Sequence, residues 1–380
     1  MPFLPLTGMK IVDVTTSIAG PYCAEILAAL GAEVVKVERP DTGDDGRAWG
    51  PPFWNGESAM FLSVNAGKRS LAVSLADERG REIVMRLAAG ADVFLQSLRP
   101  GLAGRIGLGA DLVRACNSRL VYCSIGAYGT RGPLSHEPGY DALMQAAGGL
   151  ISMTGEPGRS GVRVGSSLID MGTGIWAALG IVAALLEASR SGQGQVVDAA
   201  ITDGAASLMS VIYGLRASGI WSDERDANLL DGGAHFYDVY RTKDGKFVSI
   251  GSIEPQFYAL LLEKTGLKDN PKFAAHMAKP EWPELSAKMA EVIATKTRDE
   301  WTALMEGTDV CFAPVLSMAE APAHPHNAAR GTFVDVAGLT QPAPAPRFSR
   351  TPSAIQGPPG GMGATAEDIL AEWGVSARPL

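Results

Sequence analysis

The sequence has 380 residues, of which 46% are hydrophobic and 19% are charged, as is typical of globular proteins. Its length favours two domains over a single compact core. The formal net charge is −8 and the basic residues are scattered, which argues against a nucleic-acid or anionic-membrane partner.

The four cysteines, at positions 23, 116, 123 and 311, include no CxxC pair and have no zinc-type spacing to histidine. Each lies among apolar residues, so we expect buried free thiols, no metal site and a cytoplasmic location. The opening residues MPFLPLTGMK lack the pattern of a signal peptide. The most apolar stretch, about 175–186, is shorter than the ~20 residues that cross a bilayer, so we expect no membrane partner.

Strand and helix patterns alternate through the first third of the chain. Apolar, β-branched runs predict strands at 9–15, 33–40, 69–75, 92–97 and 119–126, and helical spacing predicts helices at 21–31 and 77–89. This βαβ rhythm is typical of an α/β fold with a mostly parallel sheet.

The pattern changes after this region. Residues 172–220 predict helices interrupted by a short strand at 195–200. Alternating residues around 243–246 predict a β-hairpin, and amphipathic stretches follow near 255–264 and 283–305. We therefore expect a large domain at 1–226, a small α+β domain at 227–318, and a Pro- and Ala-rich C-terminal segment at 319–380 with a helix near 365–373.

The loop after the first strand, TTSIAGP at 15–21, is not the GxGxxG motif that binds a dinucleotide pyrophosphate. Glu38 ends the second strand, where a ribose-binding acid would be expected, but Arg39 follows directly and suits a phosphate. A nicotinamide enzyme is therefore disfavoured. The sequence also lacks a GxSxG motif and an HExxH motif, so neither a serine hydrolase nor a zinc protease is indicated.

Asp170 stands before a long apolar run, in the stretch VGSSLIDMGTGIWAALGIVAALLEA. As an N-cap it would accept backbone N–H groups at a helix start. As a nucleophile it would be an oriented carboxylate that those amides keep ionised. Glycines at 165, 172 and 174 would let a bulky ligand approach the backbone. Both roles are compatible with the sequence.

Several blocks of the sequence resemble the class III CoA-transferases, the group of formyl-CoA and crotonobetainyl-CoA:carnitine transferases. They are GMKIVDVT, AGPYCAEILAALGAEVVKVERP, GKRSLAVSL, GYDALMQAAGGLISMTGEP, VRVGSSLIDMGTG, SGQGQVVDAAITDG and TAEDILAEWG. The resemblance implies a Rossmann-like large domain built from both chain ends. It also implies a small domain inserted through two long linkers, and an interlocked homodimer.

By this resemblance, Asp170 attacks the thioester of an acyl-CoA donor, and CoA passes to a free carboxylic acid through aspartyl-anhydride and aspartyl-CoA intermediates. Tyr140 would lie near the thioester. Coenzyme A would be a substrate moiety, with no tightly bound cofactor.

The positions that match the family's CoA contacts are Ile18 and Ala19 for the pantetheine and acyl site, Arg39 and Arg105 for phosphates, Val73 and Ser74 for adenosine, and Ser97, Leu98 and Arg99 for the adenine segment. Leu98 replaces an aromatic residue there, and Ile18 in place of glutamine favours an acyl group larger or less polar than formyl.

The segment NLLDGGAHFYDVYRTKDGKFVSIGSIEPQFYALL resembles the α-methylacyl-CoA racemases instead. These enzymes share the fold and move the acyl α-proton between a histidine and an aspartate, with a glutamate nearby. Asp170 and Glu254 match their acids, but Tyr140 replaces the histidine, and a tyrosine of ordinary pKa about 10 suits such proton transfer poorly. We therefore expect CoA transfer, with racemisation as the alternative. Gly232 and Gly233 would form either a flap over the intermediate or a plain turn.

Overall fold

The computed structural model describes residues 3–54, 56–165 and 167–376. The strands in these ranges are β1 (Lys10–Val14), β2 (Glu33–Glu38), β3 (Phe53–Trp54), β4 (Glu57–Ser58), β5 (Arg69–Ala72), β6 (Val93–Gln96), β7 (Val121–Gly126), β8 (Val196–Ala200), β9 (Tyr237–Arg241), β10 (Phe247–Gly251), β11 (Phe312–Pro314), β12 (Phe333–Val336) and β13 (Leu339–Pro342). The α-helices are α1 (Ala19–Ala29), α2 (Ala59–Leu62), α3 (Glu78–Ala89), α4 (Leu102–Arg105), α5 (Ala110–Cys116), α6 (Asp141–Ala147), α7 (Leu150–Met153), α8 (Leu168–Ser191), α9 (Ile201–Leu208), α10 (Ser210–Ala217), α11 (Pro255–Thr265), α12 (Trp282–Ile293), α13 (Arg298–Met305), α14 (Pro325–Arg330) and α15 (Ala366–Glu372).

The chain divides into two compact units. The first takes the described parts of residues 1–148, 165–208 and 328–380, and the second takes 149–164 and 209–327. The chain therefore passes from one unit to the other four times. The domain boundaries placed after residues 226 and 318 by the sequence pattern stay a prediction.

A six-stranded parallel sheet organises the first unit. Its order is β5-β2-β1-β6-β7-β8, and each neighbouring pair is parallel. This confirms the α/β class with a mostly parallel sheet. The carboxyl ends of the strands lie at one edge, so the loops after β1, β6 and β7 meet there. The direction of winding reverses between β1 and β6, which is where open α/β sheets bind their ligands.

The C-terminal end of the described chain completes the core of this unit. Phe94 on β6 is fully buried, in the same hydrophobic cluster as Ile369 of α15 and Val375. Trp373 adds a polar link, because its Nε1 donates to Glu33 Oε1 at 2.8 Å. Burial of such side chains is the main stabilising contribution to folding, at roughly 25 cal/mol for each Å² of apolar surface.

Helix α8 is longer than the sequence pattern predicted. It has 24 residues, and by length and composition alone it could cross a membrane, a test that core helices of soluble proteins also pass. The expectation from the shorter stretch 175–186 was therefore wrong about length. Nine residues of α8 are buried within the first unit, where it packs on α1, α9 and β8. Gly174 makes close contact possible, because a Cβ there would lie 2.9 Å from the carbonyl oxygen of Ala19.

The second unit contains a three-stranded antiparallel sheet in the order β11-β10-β9. β9 and β10 form the hairpin that the alternation around 243–246 predicts, and Gly245 takes φ 77° in its turn. The core of this unit is rich in aromatic residues, among them Phe236, Phe273 and Trp301, which are 0 or 1% exposed. Thr297 starts α13 with a capping box, in which its side chain and that of Glu300 bind each other's backbone N–H.

The four cysteines are free, but only two of them are buried. Cys23 and Cys123 pack inside the first unit, as expected. The prediction was wrong for Cys116 and Cys311, which are exposed. Cys116 ends α5, whose buried position is Val113, and Cys311 takes φ 58° just before the short strand β11. Apolar neighbours in the sequence therefore did not predict whether these two side chains are buried.

Candidate functional site

Asp170 opens onto a small cavity of about 150 Å³ in the first unit. It is the third residue of α8 and is 8% exposed. The residues that line the cavity come from the loop after β1, the ends of β6 and β7, and the helix starts: Thr16, Ser17, Ala19, Gly20, Ser97, Ile125, Gly126, Ala127, Gly139, Tyr140, Asp170 and Ile201. Four residues chosen from the sequence, Asp170, Tyr140, Ala19 and Ser97, therefore lie around one cavity at the carboxyl edge of the sheet.

The amides at the start of α8 bind a different carboxylate from the one expected. Asp141 Oδ2 accepts the backbone N–H groups of Ile169 at 2.7 Å and Asp170 at 3.1 Å. Gln145 Nε2 holds the other oxygen, Oδ1, at 2.5 Å. The interpretation of Asp170 as an N-cap is therefore wrong: Ser167 is the residue before the helix, and Asp141 from α6 takes the capping role across 28 and 29 residues.

The carboxylate of Asp170 is left without a hydrogen-bond donor among the residues that the structure describes. Burial, and secondly the charge of Asp141, raise its pKa to about 7. The expectation that helix amides keep it ionised is wrong in direction, because those amides serve Asp141. Near neutral pH the protonated and the ionised forms of Asp170 are then both accessible. A carboxylate poised in this way can act as a nucleophile or exchange a proton.

Tyr140 lies at the mouth of the same cavity. It immediately precedes α6 and is 71% exposed. Gly139 before it packs closely on the loop after β7, since a Cβ at that position would lie 2.4 Å from Cβ of Ala127. The sequence Gly139-Tyr140-Asp141 thus supplies both the tyrosine at the cavity and the carboxylate that caps α8. Sequence reasoning assigned no role to Asp141, although its acid at a helix start was a usable signal.

The two residues matched to the acyl site line different cavities. Ala19 faces the cavity of Asp170, whereas Ile18 lines a larger one of about 490 Å³ in the same unit. The larger cavity also contains Tyr22 and Glu25 of α1 and Met171 of α8. Burial raises the pKa of Glu25 to about 7, although Lys68 and the N–H of Ala66 act in the opposite direction.

The three arginines matched to CoA contacts, Arg39, Arg99 and Arg105, lie on the surface of the first unit. Arg99 and Arg105 are exposed, and neither forms an ion pair with a described residue. Arg105 borders a shallow cleft of about 510 Å³ beside α3. Arg39 is bound to Asp45 and donates from Nε to the Gly43 carbonyl at 3.1 Å. A phosphate at Arg39 would therefore compete with a carboxylate.

The remaining matched residues follow β5 and β6. Val73 packs against the hydrophobic core, and its N–H donates to the Glu38 carbonyl at 2.9 Å. Ser74 comes next and is partly exposed. Ser97 Oγ accepts the N–H of Thr16 at 3.0 Å, and the N–H of Leu98 donates to Gln96 Oε1 at 2.7 Å. These contacts join the matched segments to the edge of the sheet, where Ser97 reaches the cavity.

The carboxylate of Glu38 is engaged inside the protein. Arg47 donates to both of its oxygens, at 2.7 and 2.8 Å. Ser70 Oγ at 2.6 Å and the N–H of Asp44 at 3.0 Å complete its partners. Despite its burial, these bonds lower the pKa of Glu38. Glu38 is therefore committed to structural contacts and is not available to a ribose.

Gly232, Gly233 and Glu254 belong to the second unit. Gly232 takes φ 103°, which L-residues rarely adopt, and Asp231 Oδ1 accepts the N–H of Gly233 at 3.3 Å. Glu254 is exposed and stands just before α11. The Asp231 contact orders this turn locally, and its predicted role as a flap stays a prediction. In the described residues, no group of three His, Cys, Asp or Glu side chains could hold a metal ion.

Comparisons with known proteins identify the family of this chain. The model of CoA-transferase family III matches residues 6–365. The chain belongs to CoA-transferase family III. It is 38% identical to an alpha-methylacyl-CoA racemase of Mus musculus over 99% of this chain and 95% of that protein. It is 36% identical to a succinyl-CoA:glutarate CoA-transferase of Mus musculus over 97% of this chain and 86% of that protein.

A solved structure of a CAIB/BAIF family protein from Brucella suis has the same fold. It superimposes with a TM-score of 0.85 and 31% identity, over 97% of this chain and 99% of that one. The resemblance seen in the sequence is thereby confirmed at the level of the family. Family III includes both transferases and racemases among these relatives, so the choice between the two reactions depends on the residues of the site.

Proposed function

We propose that this family III protein is an acyl-CoA:carboxylate CoA-transferase with Asp170 as its nucleophile. The observation that carries the proposal is the lining of the Asp170 cavity. Its described residues combine one carboxylate with Tyr140, and histidine is not among them. A two-base racemase needs a second group that titrates near neutral pH, and tyrosine does not meet this need.

The reaction is a series of acyl exchanges at Asp170. The ionised carboxylate attacks the donor thioester, which forms an aspartyl anhydride and releases CoA thiolate. The thiolate attacks the aspartyl carbonyl, so the donor acid leaves and aspartyl-CoA remains. The acceptor carboxylate displaces CoA to form a second anhydride, and CoA thiolate then attacks the acceptor's acyl carbon and regenerates Asp170. Each difficult exchange is thus divided into easier steps.

Backbone groups beside Asp170 support this chemistry. Ala19 and Gly20 line the cavity from the first turn of α1. N–H groups in a first helical turn have no acceptor within their own helix, so they are free to bind an oxygen that becomes negative. Donors of this kind, fixed in advance, stabilise tetrahedral intermediates of acyl transfer. The 8% exposure of Asp170 also limits hydrolysis of the anhydride by water.

We place coenzyme A along the residues matched from the sequence. Arg39 and Arg105 would bind its phosphates, since a guanidinium donates to phosphate oxygens in a fixed fork. Val73 and Ser74 would contact the adenosine. The segment Ser97, Leu98 and Arg99 would lie beside the adenine. The exposure of Arg99 and Arg105 supports their role in binding coenzyme A, because both side chains are accessible to a ligand.

An interlocked homodimer of cytoplasmic subunits, each with an inserted small domain, completes the proposal. Its support is an apolar surface on α8. Ile175, Trp176, Leu179 and Leu186 are between 44 and 57% exposed in the single chain. Apolar side chains concentrated on one exposed face are typical of protein interfaces. A second copy of the chain would bury them.

The test is a screen of acyl-CoA donors against free acids, read by mass spectrometry, together with trapping of Asp170 by hydroxylamine during turnover. We expect new acyl-CoA products and a hydroxamate at Asp170. Asp170→Asn should lower turnover by about 10³-fold or more, and Asp203→Asn, an exposed carboxylate on α9, should have little effect. An unmodified Asp170 throughout turnover would exclude the proposed mechanism.

Racemisation is the second candidate, because of the 38% identity to a racemase and the raised pKa of Asp170. It predicts deuterium uptake at the acyl α-carbon in D₂O without any acceptor acid. Transfer predicts product only when an acceptor is present, with no α-deuterium in the recovered donor. One mass spectrum of each reaction mixture therefore separates the two reactions.

A further inference from the structure

Two lysines are almost completely buried beneath the loop that borders the Asp170 cavity. Lys36 on β2 is 1% exposed, and Lys68, just before β5, is 4% exposed. Lys36 Nζ donates to the carbonyl oxygen of Thr15 at 2.8 Å. Lys68 Nζ donates to the carbonyl oxygen of Pro21, also at 2.8 Å. The two ammonium groups therefore bind the two ends of the segment 15–21, here called the loop 15–21, which contains the connection after β1 and the first turn of α1.

Each lysine is paired with a buried carboxylate that also binds the loop or the strand end before it. Lys68 lies 3.0 Å from Asp13 Oδ2, and Asp13 Oδ1 accepts the N–H of Thr15 at 2.9 Å and its hydroxyl at 2.5 Å. Lys36 lies 2.7 Å from Asp44 Oδ2, and Asp44 Oδ1 faces the N–H of Ser17 at 3.5 Å. Four buried charges thus converge on one short loop.

Stability alone is a poor reason for this arrangement. Moving charges out of water is costly, and well-packed apolar residues of similar volume often replace a buried ion pair without loss of stability. The loop, however, has a shape that must be held. Ser17 takes φ 75°, a left-handed conformation that costs a non-glycine residue about 1 kcal/mol or more. The loop is also short, so a shift at either end would move its middle.

The held segment borders the reacting group. Thr16, Ser17, Ala19 and Gly20 all line the cavity of Asp170. A displacement of about 1 Å at such a position can lower the rate by about 10²-fold. The position of the first α1 turn relative to Asp170 therefore depends on the two anchored loop ends.

We propose that Asp13, Lys36, Asp44 and Lys68, here called the loop clamp, are positioning residues for acyl transfer at Asp170. They act through the backbone of the loop 15–21 and do not touch the reacting atoms. The proposal rests on the proposed function, since it concerns the geometry of that same site. On this proposal, the four buried charges hold the site in its reactive geometry before the substrate binds.

The test uses charge-balanced double variants, which avoid a lone buried charge. Asp13→Asn/Lys68→Met keeps an acceptor for Thr15 and removes the bond to Pro21. Asp44→Asn/Lys36→Met removes the bond to Thr15. The matched control is Glu33→Gln/Arg69→Met, an ion pair of 2.8 Å that joins β2, the strand of Lys36, to β5, the strand after Lys68, without contact to the loop. Steady-state kinetics and hydrogen exchange of the amides in 16–22 are measured for all proteins.

We expect kcat of both clamp variants to fall by about 10²-fold with KM changed by less than about 3-fold, because an interaction needed only in the transition state is lost. Loop amides should exchange at least about 10-fold faster. The control should match the wild type in both readouts. Unchanged exchange would show that the charges do not hold the loop, and faster exchange with unchanged kcat would show that the loop position does not matter for the reaction.

Failure of the proposed function gives a different result. The wild-type protein would then turn over no acyl-CoA with any acid, while the exchange measurement would still decide whether the four charges hold the loop. Faster exchange in both clamp variants would keep the clamp as a property of the loop. In that event the part of the proposal that concerns catalysis would be rejected together with the proposed function.

Discussion

The carboxylates of Asp141 and Asp170 have different roles: Asp141 caps α8, and Asp170 faces the cavity. Asp141 binds the amides of α8 at 2.7 and 3.1 Å, and Asp170 stays free of donors in the described residues. Had the amides bound Asp170, they would have favoured its ionised form and weakened it as a nucleophile. The separation leaves a carboxylate whose pKa is about 7 beside the cavity.

Removal of the Asp170 charge should stabilise the folded protein at alkaline pH. The folded-state pKa is raised from the ordinary value of 3.8 to about 7, so the folded protein binds the extra proton and loses stability as pH rises between these values. The variant Asp170→Asn does not lose stability in this way, because asparagine does not titrate. At pH 8 we expect it to be more stable than the wild type by up to about 4 kcal/mol in urea unfolding. Equal stability of the two proteins at pH 8 would contradict the raised pKa.

Replacement of Asp141 by asparagine should shift the pH profile of the reaction. Loss of the Asp141 charge lowers the pKa of Asp170, so the acid limb of kcat/KM should move to lower pH, by about one unit. Charged groups on the other elements packed against α8 have different surroundings: Glu25 accepts the N–H of Ala66, Asp198 binds Thr130, and Asp203 is exposed. Asp203→Asn is the control, and an unmoved acid limb in Asp141→Asn would reject the coupling.

The sequence pattern identified Asp170 and the family resemblance added Tyr140, and the structure places both at one cavity. The sequence pattern did not reveal which carboxylate binds the helix amides. An acid before an apolar run looks the same whether it precedes the helix or lies in its first turn, and α8 in fact begins at Leu168. The actual cap, Asp141, is 28 residues from Ile169, and such tertiary contacts leave no local pattern.

At the scale of elements, strands with strong apolar runs were predictable and short elements were not. The six strands of the parallel sheet all fall within the runs found in the sequence. The hairpin of β12 and β13 and the one-turn helices α2, α4 and α7 were missed. Elements of about four residues have too few positions to show a period, so tertiary contacts decide their conformation.

The core of the second unit should be sensitive to acid through His235. Its side chain is fully buried, and its Nε2 lies 2.8 Å from the hydroxyl of Tyr258, which donates to the Phe273 carbonyl at 3.1 Å. Burial, and secondly the charge of His276, lower its pKa to about 4. The unfolded chain therefore binds a proton below about pH 6.5 that the folded unit does not accept.

We expect the free energy of unfolding to fall by about 3 kcal/mol between pH 6.5 and 4 because of this histidine. His235→Phe should remove that part of the pH dependence, while Tyr258 keeps its bond to Phe273. Urea unfolding followed at several pH values measures the effect. His324→Phe, a partly exposed histidine, is the control. If His235→Phe showed the same acid sensitivity as the wild type, groups other than His235 would be its cause.

At the scale of the whole molecule, the exposed apolar face of α8 makes the oligomeric state testable. Leu179→Glu introduces a charge at a position that is 57% exposed in the single chain. If a second copy covers this face, the charge would be buried without a partner, and the protein should become monomeric or fail to fold. Leu112→Glu, 53% exposed on α5, is the matched control. Light scattering that shows an unchanged mass for both variants would remove α8 from the interface.

The packing of α15 into the first unit also sets an order of events during synthesis. Ile369 and Val375 enter the same core cluster as Phe94 and Leu71, yet they are synthesised well after the other buried members of that cluster. Part of the apolar surface of the parallel sheet therefore stays uncovered until residues 366–375 have been synthesised. The second unit ends at residue 327 and has all its parts earlier. Chains stalled or cut before residue 366 should for this reason expose the sheet and aggregate, whereas the second unit can already be folded.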